Sequence, residues 1–296
     1  FITIKISTSD INLESIGQVV DNASFLSHLR NLCKKKKNID VMDNTELDIN
    51  QLESLSKIYL PNESKALDFG QLIVTDGTNS KFAEKLNIPY KNINYDQTSY
   101  IFNSEYDSME KSAAQIFTDK GVFAVLPGNG NKKSIVATIH NKFIDDFKFE
   151  SNTVNRNLLE SQLLPYIKNL KNLKLIYKHP LNTARLDNWF FKGTLFLGNS
   201  SQLLHPFGAQ GFNFALDCVK KLDTQWEYLS IKDKSTEHVI NNINKKRNEL
   251  FNGIDLTSSL LMKNNILAAI SSSFIAKTLN LSTTVKKFFI KRILNT

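Results

Sequence analysis

The run Thr194-Leu-Phe-Leu-Gly198-Asn199-Ser-Ser-Gln-Leu-Leu-His205-Pro206-Phe-Gly208-Ala-Gln210-Gly211-Phe212-Asn213 decides how this chain is read. Thr194 to Leu197 is apolar and reads as a buried strand. It empties into Gly198-Asn199, where an Asn side chain can hydrogen-bond a ribose hydroxyl as the strand leaves its sheet. A stiff Pro-Phe-Gly-Ala-Gln-Gly loop follows, and its glycines let the backbone come close to a ligand. Residues 212–222 then take helical spacing, so the loop opens into a helix at about Gly211 to Asn213. The first amides of a helix have no partner within it, and its dipole is positive at that end. Such a place favours an anion, either a pyrophosphate or the charged edge of a reduced flavin ring. A plain strand–loop–helix connection is the other reading of the same residues.

Working outward, a second unit of this kind stands at residues 71–86. Gln71 to Thr75 reads as a buried strand that ends at Asp76-Gly77, and Asn79 to Leu86 reads as a helix. Upstream, Gly17 to Leu32 reads as a short extended piece and then a helix. Ile39 to Met42 and Ser56 to Leu60 read as short strands. Between these α/β parts the texture changes. Short alternating runs at Thr98 to Phe102, Ala114 to Thr118, Phe123 to Leu126, Ser134 to His140 and Leu173 to Tyr177 predict an antiparallel sheet. Asn141 to Leu170 reads as mostly helical, and residues 226–296 as helices without a strand. The expected organisation is two interleaved domains. A substrate-domain strand spans 1–16, and the second part of a cofactor-binding domain spans 17–87. A sheet domain occupies 88–185, the cofactor domain returns at 186–230, and a helical region covers 231–296. Phe1 to Ile6 already alternates like a strand and is not preceded by Met, which predicts a missing N-terminal piece.

The chain has 296 residues, 41% of them hydrophobic and 22% charged, which suits a folded protein with a real core and excludes disordered or collagen-like classes. Only Cys33 and Cys218 are present, far apart, so disulfide frameworks, zinc fingers and iron–sulfur sites are excluded. The five histidines show no metal-ligand spacing, and no metal is expected. The net charge of +8 comes partly from Lys34 to Lys37, which follow a helical segment and read as a solvated helix end. No basic stripe is interleaved with aromatics, so no nucleic-acid partner is expected. Basic and apolar residues alternate between Lys277 and Leu294, which reads either as a membrane-surface helix or as a packed tail. Asn129-Gly130 between two strand runs is a hairpin turn signal, and Gly128-x-Gly130 is not a dinucleotide fingerprint because Lys133 stands where the third glycine belongs.

The residues at 194–213 and 72–80 resemble the class A flavin monooxygenases related to p-hydroxybenzoate hydroxylase. The resemblance is greatest to the ubiquinone-biosynthesis branch of the 2-octaprenyl-6-methoxyphenol hydroxylase type, which carries Gly-Asn-Ala-Ala-x-x-Leu-His-Pro-x-Ala-Gly-Gln-Gly-Phe-Asn. Most relatives have Gly-Asp where this chain has Gly198-Asn199. Asp76-Gly77-Thr-Asn-Ser80 is similar to the family's second fingerprint. Gly17 to Asn22, Phe117-Thr118, Gly121 and Ala124 to Pro127 resemble weaker family motifs. Three departures stand out. Gly208-Ala209 inverts the family order, Ala23 stands where relatives often have Arg, and the family's first βαβ unit with its GxGxxG is absent.

The resemblance implies an α/β fold. An FAD/NAD(P)-binding Rossmann-like domain, lacking its first βαβ unit, would be interleaved with an antiparallel-sheet substrate domain and end in a helical C-terminus. It implies FAD as cofactor and NAD(P)H as reductant. A flavin C4a-hydroperoxide formed from O2 would hydroxylate the ring of a polyprenyl-phenol in ubiquinone biosynthesis. It implies cofactor-binding roles for Asp76, Gly77, Gly198, Asn199, Pro206, Gly208, Gln210, Gly211, Phe212 and Asn213. Among these, Asn199 would approach the FAD ribose or phosphates. Pro206, Gly211, Phe212 and Asn213 would lie along the isoalloxazine ring, and Asp76 would lie near the pyrophosphate. No catalytic residue is assigned. A cytoplasmic protein is implied, peripheral on the inner face of the membrane and meeting other ubiquinone-biosynthesis proteins there. Two rival readings stay open: a hydroxylase of another aromatic compound, and a non-catalytic membrane-peripheral partner of a biosynthetic complex.

Overall fold

A computed structural model describes residues 14–15, 17–45, 47, 57–59, 66–105, 112–128, 132–149, 154–164, 166–167, 169–191, 193–206, 210–224 and 234–262. The strand expected at 1–6 and the helices expected beyond residue 262 lie outside these, as do the turn residues Asn129 and Gly130. The chain divides into two compact units: an α/β unit, Asp21–Ile93 and Asn182–Leu256, and a sheet unit centred on Asn94–Leu181.

In the α/β unit, α1 (Asn22–Lys34) is capped by Asp21, whose carboxylate accepts from Ser24 N at 2.9 Å. None of its residues is buried. A small ladder joins β1 (Lys57–Tyr59) to β2 (Ala66–Asp68). The sheet that matters is β3 (Leu72–Val74), β10 (Thr194–Phe196) and β9 (Phe190–Phe191), in the order β3-β10-β9. β3 and β10 are parallel, with Leu72 opposite Thr194 and Val74 opposite Phe196. Helix α2 (Lys81–Lys85) buries Phe82 and Ala83. Helix α5 (Gln210–Asp223) buries Gln210, Phe214, Cys218 and Leu222 at intervals of four, one stripe along the helix. The long α6 (Lys234–Met262) adds Val239, Ile240, Ile243 and Phe251. These pack with Leu195, Phe196, Leu197 and Trp189 into one core, and Phe251 joins Leu204 in a satellite cluster.

The large antiparallel sheet runs β11-β8-β4-β7-β6-β5. Its strands are β4 (Tyr90–Glu105), β5 (Ala114–Phe117), β6 (Gly121–Pro127), β7 (Lys132–His140), β8 (Lys171–Leu186) and the short β11 (Gln202–Leu203). In the sheet unit, one face sends Tyr100, Phe102, Phe123, Ile135 and Ile139 into a core closed by α3 (Ile144–Phe147) and α4 (Arg156–Leu163). The other face is mixed, with half-buried Ile101, Val136 and Ala124 side by side among polar residues. Ser99 and Thr138 face each other with their hydroxyls 2.6 Å apart. Gly121 is obligatory, because at φ +152° an added Cβ would sit 2.1 Å from the Thr138 carbonyl oxygen.

The expected fold class, α/β with an antiparallel sheet, is the one observed. Two local expectations need correction. Residues 39–42 are not a strand. Their alternation has no ladder partner among the described residues. The following Asp43 instead ties the segment back to α1 through Arg30 and Lys34, with Lys34 Nζ at 2.7 Å. The strands expected at 98–102 and 173–177 are each 16 residues long. Asp96 interrupts the alternation of β4 with a left-handed φ of +52° and donates its N–H to the Asn94 side chain. Pro180 lies within β8 where β11, paired only at 184 and 185, leaves that edge open. Among the described residues, no helix is long and apolar enough to cross a membrane.

Candidate cofactor site

Parallel pairing brings the carboxyl ends of β3 and β10 side by side, which is where α/β sheets bind ligands. Both strands break there into tight turns. Gly77 follows β3 with φ +88°, and Gly198 follows β10 with φ +63°. These are left-handed conformations that glycine adopts without a steric cost.

The two turns are fastened to each other. Leu197 N donates to Val74 O at 3.0 Å. The buried Ser200 hydroxyl lies 2.8 Å from Val74 O and 2.7 Å from Leu197 O, so its proton is shared between the two strand ends. Tyr90 OH donates to the Ser200 carbonyl at 2.7 Å. Burial, with the nearby Asp76 charge, holds the Tyr90 phenol above its ordinary range, so it remains a donor. The Ser80 hydroxyl accepts from Ala83 N to cap α2 and donates to the Asp76 carboxylate at 2.9 Å.

Most of the residues assigned to a cofactor from the sequence are accessible. Asn199, Pro206, Gly211, Phe212 and Asn213 are exposed, and Gly77 and Gly198 are half-buried. An added Cβ at Gly77, Gly198 or Gly211 would meet nothing within 4 Å among the described residues. The first turn of α5 carries no acidic side chain, so its amides and dipole present undiluted positive potential. Phe25 of α1 meets Phe212 edge-on at 6.2 Å, which draws the start of α1 to the start of α5. Of the ten residues assigned from the sequence, Gln210 is buried inside α5. Gly208 lies outside the described residues. The residues present fit a long ligand carrying anionic groups, FAD among them. Three glycines leave room at the backbone, and a helix N-terminus supplies donors. Among the described residues no cluster of His, Cys, Asp or Glu could hold a metal ion.

The sequence reading missed Tyr90, Ser200, Trp189, Gln202 and Arg247. Arg247 was detectable in principle. It stands four residues from Ile243 and four from Phe251, a charge inside an apolar helical stripe, and it is 1% exposed. Cys218 is no nucleophile: burial, with Asp217 beside it, pushes its thiol up to about 12.

No protein-family model matches the chain. A stretch of 152 residues is 22% identical to the ubiquinone hydroxylase UbiL of Rhodospirillum rubrum, covering 51% of this chain and 35% of that protein. The chain therefore spans about a third of the length of that curated relative. Among solved structures, the fold is similar to PqsL of Pseudomonas aeruginosa, described as a probable FAD-dependent monooxygenase. The TM-score is 0.63 at 13% identity, over 84% of this chain and 72% of that one. It is also similar to CmlS, a flavin-dependent halogenase, with TM-score 0.60 at 10% identity over 82% of this chain and 47% of that one. The chain has the fold of FAD-dependent monooxygenases and flavin-dependent halogenases, and one curated relative is a ubiquinone hydroxylase.

Proposed function

We propose that this chain forms the second and third parts of the cofactor domain, and the substrate domain, of an FAD-dependent monooxygenase that hydroxylates an aromatic ring. The observation that carries the reading is the pairing of β3 with β10, which sets two left-handed glycine turns at one sheet end. The α5 amino end follows in the same unit, with no acidic residue in its first turn. Such a frame favours a ligand with both phosphates and an anionic ring. Bound flavin supplies the two-electron redox and oxygen chemistry. This chain's part is to bind and orient. Gly77, Gly198 and Gly211 would let the backbone approach. Asn199 would hydrogen-bond a ribose hydroxyl, and the amides of residues 211–213 would hold negative charge at the ring edge. Tyr90 and Ser200 keep the β10 turn in place.

The finer reading is a polyprenyl-phenol substrate from ubiquinone biosynthesis, with O2 as co-substrate and NAD(P)H as reductant. It is supported by the Gly198-Asn199 signature and by the likeness to UbiL. Association with a membrane surface belongs to the same proposal, because a polyprenyl tail partitions there. Titrating FAD into the gene product that carries this chain, followed by flavin absorbance and fluorescence, tests the cofactor reading. Stoichiometric uptake that Asn213→Ala weakens is the expected result. A folded protein that takes up no FAD would refute it. NAD(P)H oxidation stimulated by a prenylated phenol but not by 2-aminobenzoylacetate, the compound in complex with PqsL in one of its crystal structures, would then fix the substrate class.

A further inference from the structure

Behind the β10 turn the α/β unit holds a cavity of about 10 Å³, lined among others by Trp189, Gly198, Gln202, Gly211 and Arg247. That is room for one guest about the size of a water molecule. Its polar lining is unusual in composition. Trp189 and Gln202 are 1% and 4% exposed, and the Trp189 indole Nε1 and the Gln202 amide Nε2 have no hydrogen-bond partner among the described residues. Both atoms are obligatory donors. The third polar group is the Arg247 guanidinium, also buried, which sits 5.9 Å from the Trp189 ring centre. Among the described residues its hydrogen bonds all go to neutral acceptors: the Gln202 side-chain oxygen at 3.1 Å, the Asn244 side-chain oxygen at 3.2 Å and the Leu186 carbonyl. Three of its five N–H groups are used by described residues, and two remain for other acceptors.

The neighbourhood adds charge of the same sign. Arg185 is close enough to depress the Arg247 guanidinium, which burial chiefly lowers to about 10, while Asp187 acts in the opposite direction. Arg185 itself donates to the neutral Asn248 side chain at 2.8 Å and lies over the Phe251 ring. A buried cation without a hydrogen-bonded carboxylate is costly, and so is a buried N–H without an acceptor. One guest answers both, provided it accepts only. A water molecule would have to donate two hydrogen bonds. Of the two acceptors nearby, Gly198 O already receives the Ser201 N–H at 3.1 Å and the Ser201 hydroxyl at 3.0 Å, and Gln202 Oε1 keeps one lone pair beside its bond from Arg247 Nε–H, so a water would find one place to donate where it needs two.

We propose that this cavity binds a small monovalent anion of chloride size, held by the Trp189 indole N–H, the Gln202 amide and the Arg247 guanidinium. Gly198 and Gly211, where an added Cβ would meet nothing within 4 Å among the described residues, line the cavity. The anion would join α6, through Arg247, to the turn that follows β10, through Gln202. This site does not depend on the flavin reading, and its test needs no flavin.

The probes are sodium chloride and bromide, with nitrate as an oversized control, against sodium gluconate at constant ionic strength, with thermal unfolding as one readout. Quenching of Trp189 fluorescence by bromide, in a Trp226→Phe background, is the second. The expected result is a saturable rise in Tm and a saturable quench with the same half-point. Gln202→Glu places a carboxylate on Arg247 in nearly the same volume. It should raise the half-saturating anion concentration by about tenfold or more, the loss expected for a charged hydrogen bond. Trp189→Phe, which removes the N–H and keeps most of the ring, should weaken the anion effect as well, and it serves if Gln202→Glu does not fold. Identical melting in all four salts would overturn the proposal. So would an anion effect that both variants leave unchanged, which would be a general salt effect.

Discussion

The two units treat their polar and apolar groups in opposite ways. In the sheet unit, the buried hydroxyls find partners, as Ser99 meets Thr138 and Thr98 meets Asn141. In the α/β unit, Thr183 Oγ1, Trp189 Nε1, Thr194 Oγ1 and Gln202 Nε2 are buried with no partner among the described residues. The apolar side chains follow suit. Phe147 and Phe149 bind the sheet unit's core together, with Phe149 rings at 4.9 Å from Tyr100 and from Phe102. On α1 and α5, by contrast, Leu26, Leu29, Leu32, Phe212, Leu216 and Val219 are all exposed. A core that closes on itself supplies stability. A unit with open glycine turns, bare apolar helix faces and unused donors is arranged to receive other groups.

That contrast can be broken at several points. The largest effect is expected at Phe149→Ala, which removes the centre of the aromatic cluster. It should cost about 3–5 kcal/mol in urea unfolding, and a loss below about 1 kcal/mol would show that the core is not organised around this ring. Next comes Gly121→Ala, where the new methyl meets the Thr138 carbonyl. A loss of about 2–3 kcal/mol is expected, with flavin affinity unaffected in whatever protein remains folded. In the α/β unit, Gly198→Ala should show the reverse balance: about 1 kcal/mol of stability from the left-handed backbone, but a loss of flavin uptake that calorimetry would register. Ser200→Ala should cost about 1 kcal/mol and weaken FAD binding through the loosened turn.

The smallest effect is a pH slope. The Cys218 thiol is raised from an ordinary value near 9 to about 12, so the folded state holds its proton more tightly than the unfolded chain does. Its contribution is therefore present in full below about 9 and is lost as the pH rises towards 12. Cys218→Ala should flatten that alkaline limb of the stability curve. An unchanged slope would place the alkaline sensitivity in Tyr90, whose phenol is raised as well.

Much of this was legible locally. Alternation located β5, β6 and β7 to within a few residues, because each strand buries one face and its pattern lies within the strand. Helix α5 was visible from the spacing of Phe214, Cys218 and Leu222. The long strands β4 and β8 were only half visible. Asp96 and Pro180 break their patterns, and a ladder with neighbouring strands carries the backbone through. Residues 39–42 show the converse, an alternation with no partner strand and hence no strand.

By itself, the sequence determined the short strands β5, β6 and β7 and the helix α5. It also determined that Asp76-Gly77 and Gly198-Asn199 end two apolar strands, since these properties depend on residues within a few positions of one another. Only the tertiary structure decided that those strands are parallel neighbours. Gln71 reaches the Gly193 carbonyl across 122 positions of sequence, and Leu197 reaches Val74. It also decided that Arg247 lies buried beside Trp189 and Gln202 rather than in solvent. The physical reason is that such contacts form only after the intervening chain has folded. Their energy depends on burial and on donors meeting acceptors, which no local window of residues contains.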